Sequence, residues 1–229
     1  MNMIMAGDPP IEITLRCRSR MRRLSLRVSR IDGRVTLNMP RDFPLDEARA
    51  FVEGKEDWIR RQLANAPEVI PVRIGGQILF GGRHVDVLSS VTSDFGVAGD
   101  ALLVPGCPET AAHRLQEFLV RVAAEQLRSA SGRHAKRIGR PHGKITLRDT
   151  RSRWGSCSSQ GNLMYSWRLV MAPEPVLDYV TAHEVAHLVH MDHSHAFWHA
   201  VGRLCPDYRN RRKWLRENGA MLHRYRFEN

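Results

Sequence analysis

Near the N-terminus apolar and polar residues alternate. Ile11, Ile13, Leu15 and Cys17 fall on one side of an extended chain, and Arg16, Arg18 and Arg20 on the other. The same period recurs in Leu24, Leu26 and Val28 against Arg23 and Arg27, then in Val35, Leu37 and Met39 after Asp32-Gly33. Asp-Gly between two such runs signals a hairpin, because its turn needs positive φ. The pattern predicts a small antiparallel sheet with an arginine-rich outer face. From Pro44 to Ala64 the period becomes helical, with Phe51, Trp58, Ile59 and Leu63 as the inner residues. Short strands broken by Gly75-Gly76, Gly81-Gly82 and Gly99-Asp100 occupy Val72 to Val104.

Pro105-Gly106-Cys107-Pro108 reads as a linker, which divides the chain into an N-terminal antiparallel β-rich region, 1–106, and a second domain, 107–229. Glu109 to about Ser129 has a helical apolar face through Leu115, Phe118, Leu119, Val122 and Leu127. A basic stretch, Arg133 to Lys144, leads to a strand at Ile145. A turn at Gln160-Gly161 precedes another strand, Asn162 through Trp167 to Leu169, expected beside the helix that follows. A last helix runs from Asp207 to Asn218, with Gly219 as its stop. The fold class is α+β. No internal repeat is visible.

Composition narrows the setting. The 229 residues suffice for a sizeable core, and no apolar run approaches the length of a membrane helix. The first residues are too short and uncharged for a secretory signal. Cys17, Cys107, Cys157 and Cys205 form no C-x-x-C pair, which argues against a zinc ribbon or a disulfide framework and for a reduced, cytoplasmic setting. The net charge of +11 is mostly arginine. It fits either a need for solubility or an acidic partner such as nucleic acid, met through the basic segment Arg16 to Arg30.

The chemistry concentrates in His183-Glu184-Val185-Ala186-His187. On a helix, i and i+4 lie on one face, so His183 and His187 can aim at one ion. Glu184 would sit beside that ion, placed to take a proton from water. The flanking stretch Val176 to Val189 is apolar almost all round, so the helix is expected in a core, where two imidazoles and a carboxylate are costly unless a metal satisfies them. A third ligand requires the chain to turn near His190 or Met191, with Asp192 or Ser194 capping a second helix from His195 to Leu204. His193 at that bend is the expected third ligand; His190, His195 and His199 compete. His195 and His199 form another i, i+4 pair but lack acidic or cysteine partners nearby. Candidate transition-state or substrate contacts are Arg151, Arg153, His195 and Tyr208. Trp154-Gly-Ser-Cys157 is expected as a tight turn with a core tryptophan, Cys157 being the less favoured candidate for a metal-directed thiol.

The run Ser152-Arg153-Trp154-Gly155-Ser156-Cys157, then Trp167-Arg168-Leu169, Tyr179-Val180, His183 to Leu188, His193-Ser194, Phe197-Trp198 and Pro206-Asp207-Tyr208 resembles the YgjP-like metallopeptidases. These are similar in turn to the SprT-like and WLM groups of zincins. The resemblance is close over 143–218 and looser in the N-terminal half. It implies a zincin-like C-terminal metallopeptidase domain, one Zn2+ on His183, His187 and His193, catalysis by Glu184, and a peptide or protein substrate. The spacing to His193 equals that of metzincins, but His190 stands where they have glycine, so a different bend is expected. SprT-like relatives include proteases acting on DNA-bound proteins, which gives the arginine excess a second reading. Two rivals remain at this stage: a basic nucleic-acid-binding protein with a structural zinc, and a hydrolase of another amide or ester. The strand at Leu163 to Trp167 is expected to offer an edge to an extended substrate.

Overall fold

The computed structural model describes residues 2–5, 9–19, 21–29, 33–64 and 68–227. They belong to two compact units, Met1–Val69 and Ile70–Asn229. In the first, β1 (Asn2–Met5), β2 (Ile11–Cys17), β3 (Ser25–Val28) and β4 (Val35–Met39) form a sheet of order β1-β2-β4-β3. Alternation is realised: Ile11, Ile13, Leu15, Val35, Leu37 and Met39 are buried, while Arg16, Arg18 and Arg27 are exposed. Cys17, expected inside, is exposed at the strand end. The β3–β4 hairpin is antiparallel, with Val28 opposite Val35 and Gly33 at φ 67. Asp32, Arg20 and Arg30 lie outside the described residues.

The sheet is mixed rather than antiparallel. β4 runs parallel to β2, because the hairpin's second arm enters between β2 and β3. A period of two identifies the faces of a strand but not the direction of its neighbour. The expected single helix is also two, α1 (Leu45–Glu53) and α2 (Glu56–Ala64), parted at Gly54-Lys55. Ala48, Val52 and Ile59 point inward, whereas Trp58 is 38% exposed, against expectation.

The second unit repeats that strand order. After β5 (Ile70–Pro71), β6 (Gln77–Phe80), β7 (Arg83–Ser90), β8 (Gly96–Ala98) and β9 (Ala101–Pro105) lie in the order β6-β7-β9-β8, again with one parallel pair at the centre. Two sequences without visible repetition thus build the same topology. The division between units falls after Val69, not at 106/107: Ile78, Val87, Leu102 and Val104 share one core with Leu115 and Leu119 of α3 (Pro108–Ile138). The supposed linker is a tight turn, with Gly106 at φ 93 and Arg114 donating to the Pro105 carbonyl at 2.9 Å.

Helix α3 runs well past Ser129, through the basic stretch, to a left-handed cap at Gly139 (φ 73). That stretch buries Ala130, Ser131, His134 and Ala135, while Arg137 donates to the Arg203 and Leu204 carbonyls at 2.7 Å. Charge had masked an amphipathic face. Next come β10 (Ile145–Arg148), β11 (Gly155–Cys157) and β12 (Leu163–Ser166), in the order β10-β12-β11. Trp167 does not extend the strand; Trp167–Met171 form a 3-10 turn leading into α4 (Glu174–Ala186). The Gly81-Gly82 turn, with both φ positive, docks on this entry: their N–H groups donate to the Val170 and Met171 carbonyls at 3.0 Å. A Cβ at Gly82 would come within 2.5 Å of the Pro173 ring, so only glycine fits.

α5 (His195–Leu204) and α6 (Tyr208–Asn218) follow, then a 3-10 turn, Gly219–His223, and β13 (Tyr225–Arg226), which pairs with β5. Gly219 stops α6 but is not left-handed (φ -59); a Cβ there would meet the Trp154 indole at 2.9 Å, so packing demands the glycine. Trp154, expected in the core, is partly buried and packs against it, lying over Gly219 and 5.0 Å from the His223 ring.

Arg168 ties this end of the chain down. Its guanidinium makes paired bonds to Asp149 at 2.7 and 2.9 Å and donates to the Leu222 and Tyr225 carbonyls at 2.9 and 3.0 Å. Asp149 is 35% exposed and water can solvate it, but removing the guanidinium leaves the two buried carbonyls without that donor, at a cost of about 2–6 kcal/mol together. Arg168→Met is therefore expected to destabilise the second unit by about that amount, measured by urea unfolding; a loss within error would show that the clamp is dispensable.

Candidate metal centre

Helix α4 is buried almost all round: Val176, Leu177, Val180, Ala182, Val185 and Ala186 are all in the core. It opens with Pro173 at the N-cap and Pro175 in the first turn, where a missing N–H costs nothing. Regular helix ends at Ala186, earlier than the sequence suggested. His187 keeps helical dihedrals as the cap, and a turn through Val189 follows, with His190 N–H donating to the Ala186 carbonyl at 3.1 Å. Ser194 caps α5 by accepting from the Phe197 N–H at 3.5 Å, and the Asp192 carboxylate accepts from the Ser194 N–H at 3.3 Å. His193 is thereby turned back toward α4.

The imidazoles of His183, His187 and His193 converge, each offering a ring nitrogen within 4.8 Å of the others. His183 Nε2 and His193 Nε2 are 3.2 Å apart. Two ligand nitrogens on a tetrahedral zinc with bonds of about 2.0–2.1 Å would be separated by about 3.3 Å. His187 Nδ1 lies 2.9 Å from the His190 carbonyl and donates to it, which leaves Nε2 as the lone-pair nitrogen facing its partners. His183 Nδ1 is buried without a hydrogen-bond partner. The rings stand on Phe197, whose centroid is 4.9, 4.5 and 4.7 Å from those of His183, His187 and His193. Spacing and donor type both fit a divalent ion with three nitrogen ligands.

Burial holds His183 down at about 3, with repulsion from His187, His193 and Arg212 adding to the effect. His187 is lowered by burial too, against the opposing His190 bond. The Glu184 side chain is buried in a niche against Gly155. It is 6% exposed, and burial pushes its carboxyl up to about 8, partly offset by Arg153. The niche is made by β11: a Cβ on Gly155 would lie 2.6 Å from Glu184 Cγ and Oε1. This role was not legible in the sequence, where Gly155 read only as part of a turn.

The remaining candidates separate. Arg153 is exposed on the Glu184 side. Arg151 and His195 are exposed. Tyr208 stacks on Trp198 with ring centroids 5.4 Å apart. Among the described residues the trio is the one group of three or more candidate metal donors, so the His195–His199 pair gathers no third partner and Cys157 is not in the cluster. Burial and the nearby Glu184 raise the Cys157 thiol to about 11, far from a thiolate. Strand β12, expected as a free edge, is covered on both sides; β10 and β11 are the edges, and β11 is the one beside Glu184. Sequence reasoning missed Arg212, which reaches His183 from α6, and Tyr179, whose ring lies 6.1 Å from His183.

Lowered imidazole pKa values mean that protons compete weakly for the site as pH falls below 6.5. At about pH 5.5 metal uptake should release fewer than two protons per ion, against about 2.7 for three imidazoles of ordinary pKa. Titration calorimetry in buffers of different ionisation enthalpy measures this; a count near three would contradict the burial reading.

Among the described residues no helix is long and apolar enough to cross a membrane. No curated protein and no solved structure matches the chain. The model of one family, the YgjP-like metallopeptidase domain, matches residues 22–218. With that match spanning most of both units, the chain belongs to the YgjP-like metallopeptidase family.

Proposed function

We propose that the protein is a zinc-dependent metallopeptidase of zincin-like architecture, with His183, His187 and His193 holding one ion and Glu184 as general base. The observation that carries this reading is the placement of Glu184. A carboxylate buried beside three convergent imidazoles, yet turned toward Gly155, has no structural task that an apolar residue would not perform better. Bound there, the ion would supply Lewis acidity to a water and to a peptide carbonyl. Glu184 takes the proton of the attacking water and passes it to the leaving amine; its raised pKa suits both steps near neutrality. Phe197 and the α4 core keep bulk water from the back of the rings.

The edge of β11, Gly155–Cys157, runs past Glu184 and suits an extended peptide added as a further strand. Main-chain bonds of this kind bind without regard to side-chain identity. A structural-zinc protein would normally close the shell with a fourth protein donor, and the cluster has three. The comparisons lend no support to nucleic-acid binding, so that reading rests on the exposed Arg16, Arg18 and Arg27 alone. Hydrolysis of another amide or ester would use the same groups, and a digest of a peptide library separates it from peptidase activity.

Glu184→Gln should keep one equivalent of zinc and lower peptide cleavage by at least about a hundredfold. Elemental analysis beside a fluorogenic digest checks both halves. Zinc lost together with turnover would make Glu184 a ligand instead. Gly155→Ala pushes a methyl into the carboxylate and should cost about a hundredfold in turnover with zinc retained; wild-type turnover would show that Glu184 needs no such niche.

A further inference from the structure

One side of the metal centre carries a ladder of flat groups. The Trp198 ring lies 5.7 and 5.8 Å from those of His183 and His193. The Arg212 guanidinium sits over Trp198 at 4.8 Å. Tyr208 stacks on Trp198, and Arg209 lies over Tyr208 at 5.6 Å. Both arginines belong to α6, which also carries Arg211, Lys213 and Arg216 against a single acid, Glu217. Arg211 is paired with Asp207 at 2.8 Å. Arg209 and Arg212 have no hydrogen-bond or ion-pair partner among the described residues; aromatic faces hold them, and their N–H edges stay available.

This arrangement is unusual for a surface arginine. Stacking fixes the guanidinium plane without consuming a donor, which preorganises it for a carboxylate. Its position is also unfavourable in isolation. Arg212 rides on Trp198, whose ring lies 5.7 Å from that of His183, so beside a dication it would add like charge to like charge. An anion arriving between them relieves that repulsion. Glu184 does not fill that place, since it faces Gly155 on the β11 side.

We propose that Arg212, seated on Trp198, is the specificity-determining residue of the site and binds a carboxylate of the peptide substrate. This deepens the peptidase reading and rests on it. The carboxylate can come from an Asp or Glu side chain next to the scissile bond or from the peptide's own C-terminus; both present the same planar pair of oxygens. Arg209, one step farther out, extends the same preference along the chain.

The test uses full-length, zinc-loaded protein carrying Glu184→Gln, so that peptides bind uncut. Fluorescein-labelled peptides of one sequence are compared by anisotropy: neutral with an amidated C-terminus, neutral with a free C-terminus, and Glu-containing with an amidated C-terminus. At least one carboxylate peptide should bind about tenfold tighter than the neutral amide. Adding Arg212→Gln should bring that ratio to about one, and Arg212→Lys should keep part of it. The peptide that shows the gain identifies the source. Equal affinity for all three peptides, or an equal loss on all three in Arg212→Gln, overturns the proposal. Cleavage by the wild-type protein is read separately. A charge preference abolished by Arg212→Gln without any cleavage would sink the peptidase reading and leave the carboxylate site standing; cleavage without a preference would do the reverse.

Discussion

Helix α4 must lie in an apolar core and yet carry two imidazoles and a carboxylate. Most of what surrounds it answers that constraint. Phe197 floors the rings, and the His190 carbonyl takes the only proton His187 has to place. Gly155 opens the niche for Glu184, and the Gly81-Gly82 turn holds the Pro173 entry so that the helix starts at the right phase. Each device acts through glycine, a backbone carbonyl or an aromatic face. None brings a compensating charge into the core, so burial favours the neutral forms of His183 and Glu184.

The two halves of the reactive face are built differently. On the β11 side, a carboxylate lies in a tight niche beside the edge of a sheet. On the α6 side, guanidinium groups ride on aromatic rings with their edges free. An extended chain crossing between them would meet backbone donors and acceptors on one flank and positive charge on the other. On the proposed reading, affinity without sequence preference and selection by charge would fall to separate elements.

The convergence of His183, His187 and His193 was legible in the sequence because its signals are local. An i, i+4 pair, the caps Asp192 and Ser194, and α5 over His195–Leu204 depend on neighbours within a turn or two. What escaped was tertiary. Gly155 matters because Glu184, distant in sequence, occupies the space of its missing side chain. Arg212 matters because α6 brings it over Trp198. In the fold, alternation gave faces but not strand direction, so the parallel β2–β4 pair was unforeseen. The Pro-Gly cluster at 105–108 looked like a boundary because turns and linkers share a composition; shared burial of Leu102 and Leu115 decides the matter.

X-ray absorption on the zinc-loaded protein addresses the arrangement of the centre most directly. Three nitrogen neighbours and one oxygen at about 2.0–2.1 Å are expected, with no sulfur near about 2.3 Å and an unchanged spectrum when Glu184 is replaced by Gln. A sulfur shell, or an oxygen that disappears with the Glu184 carboxylate, would mean that the ion is held by a different set of groups and that no acid stands free beside it.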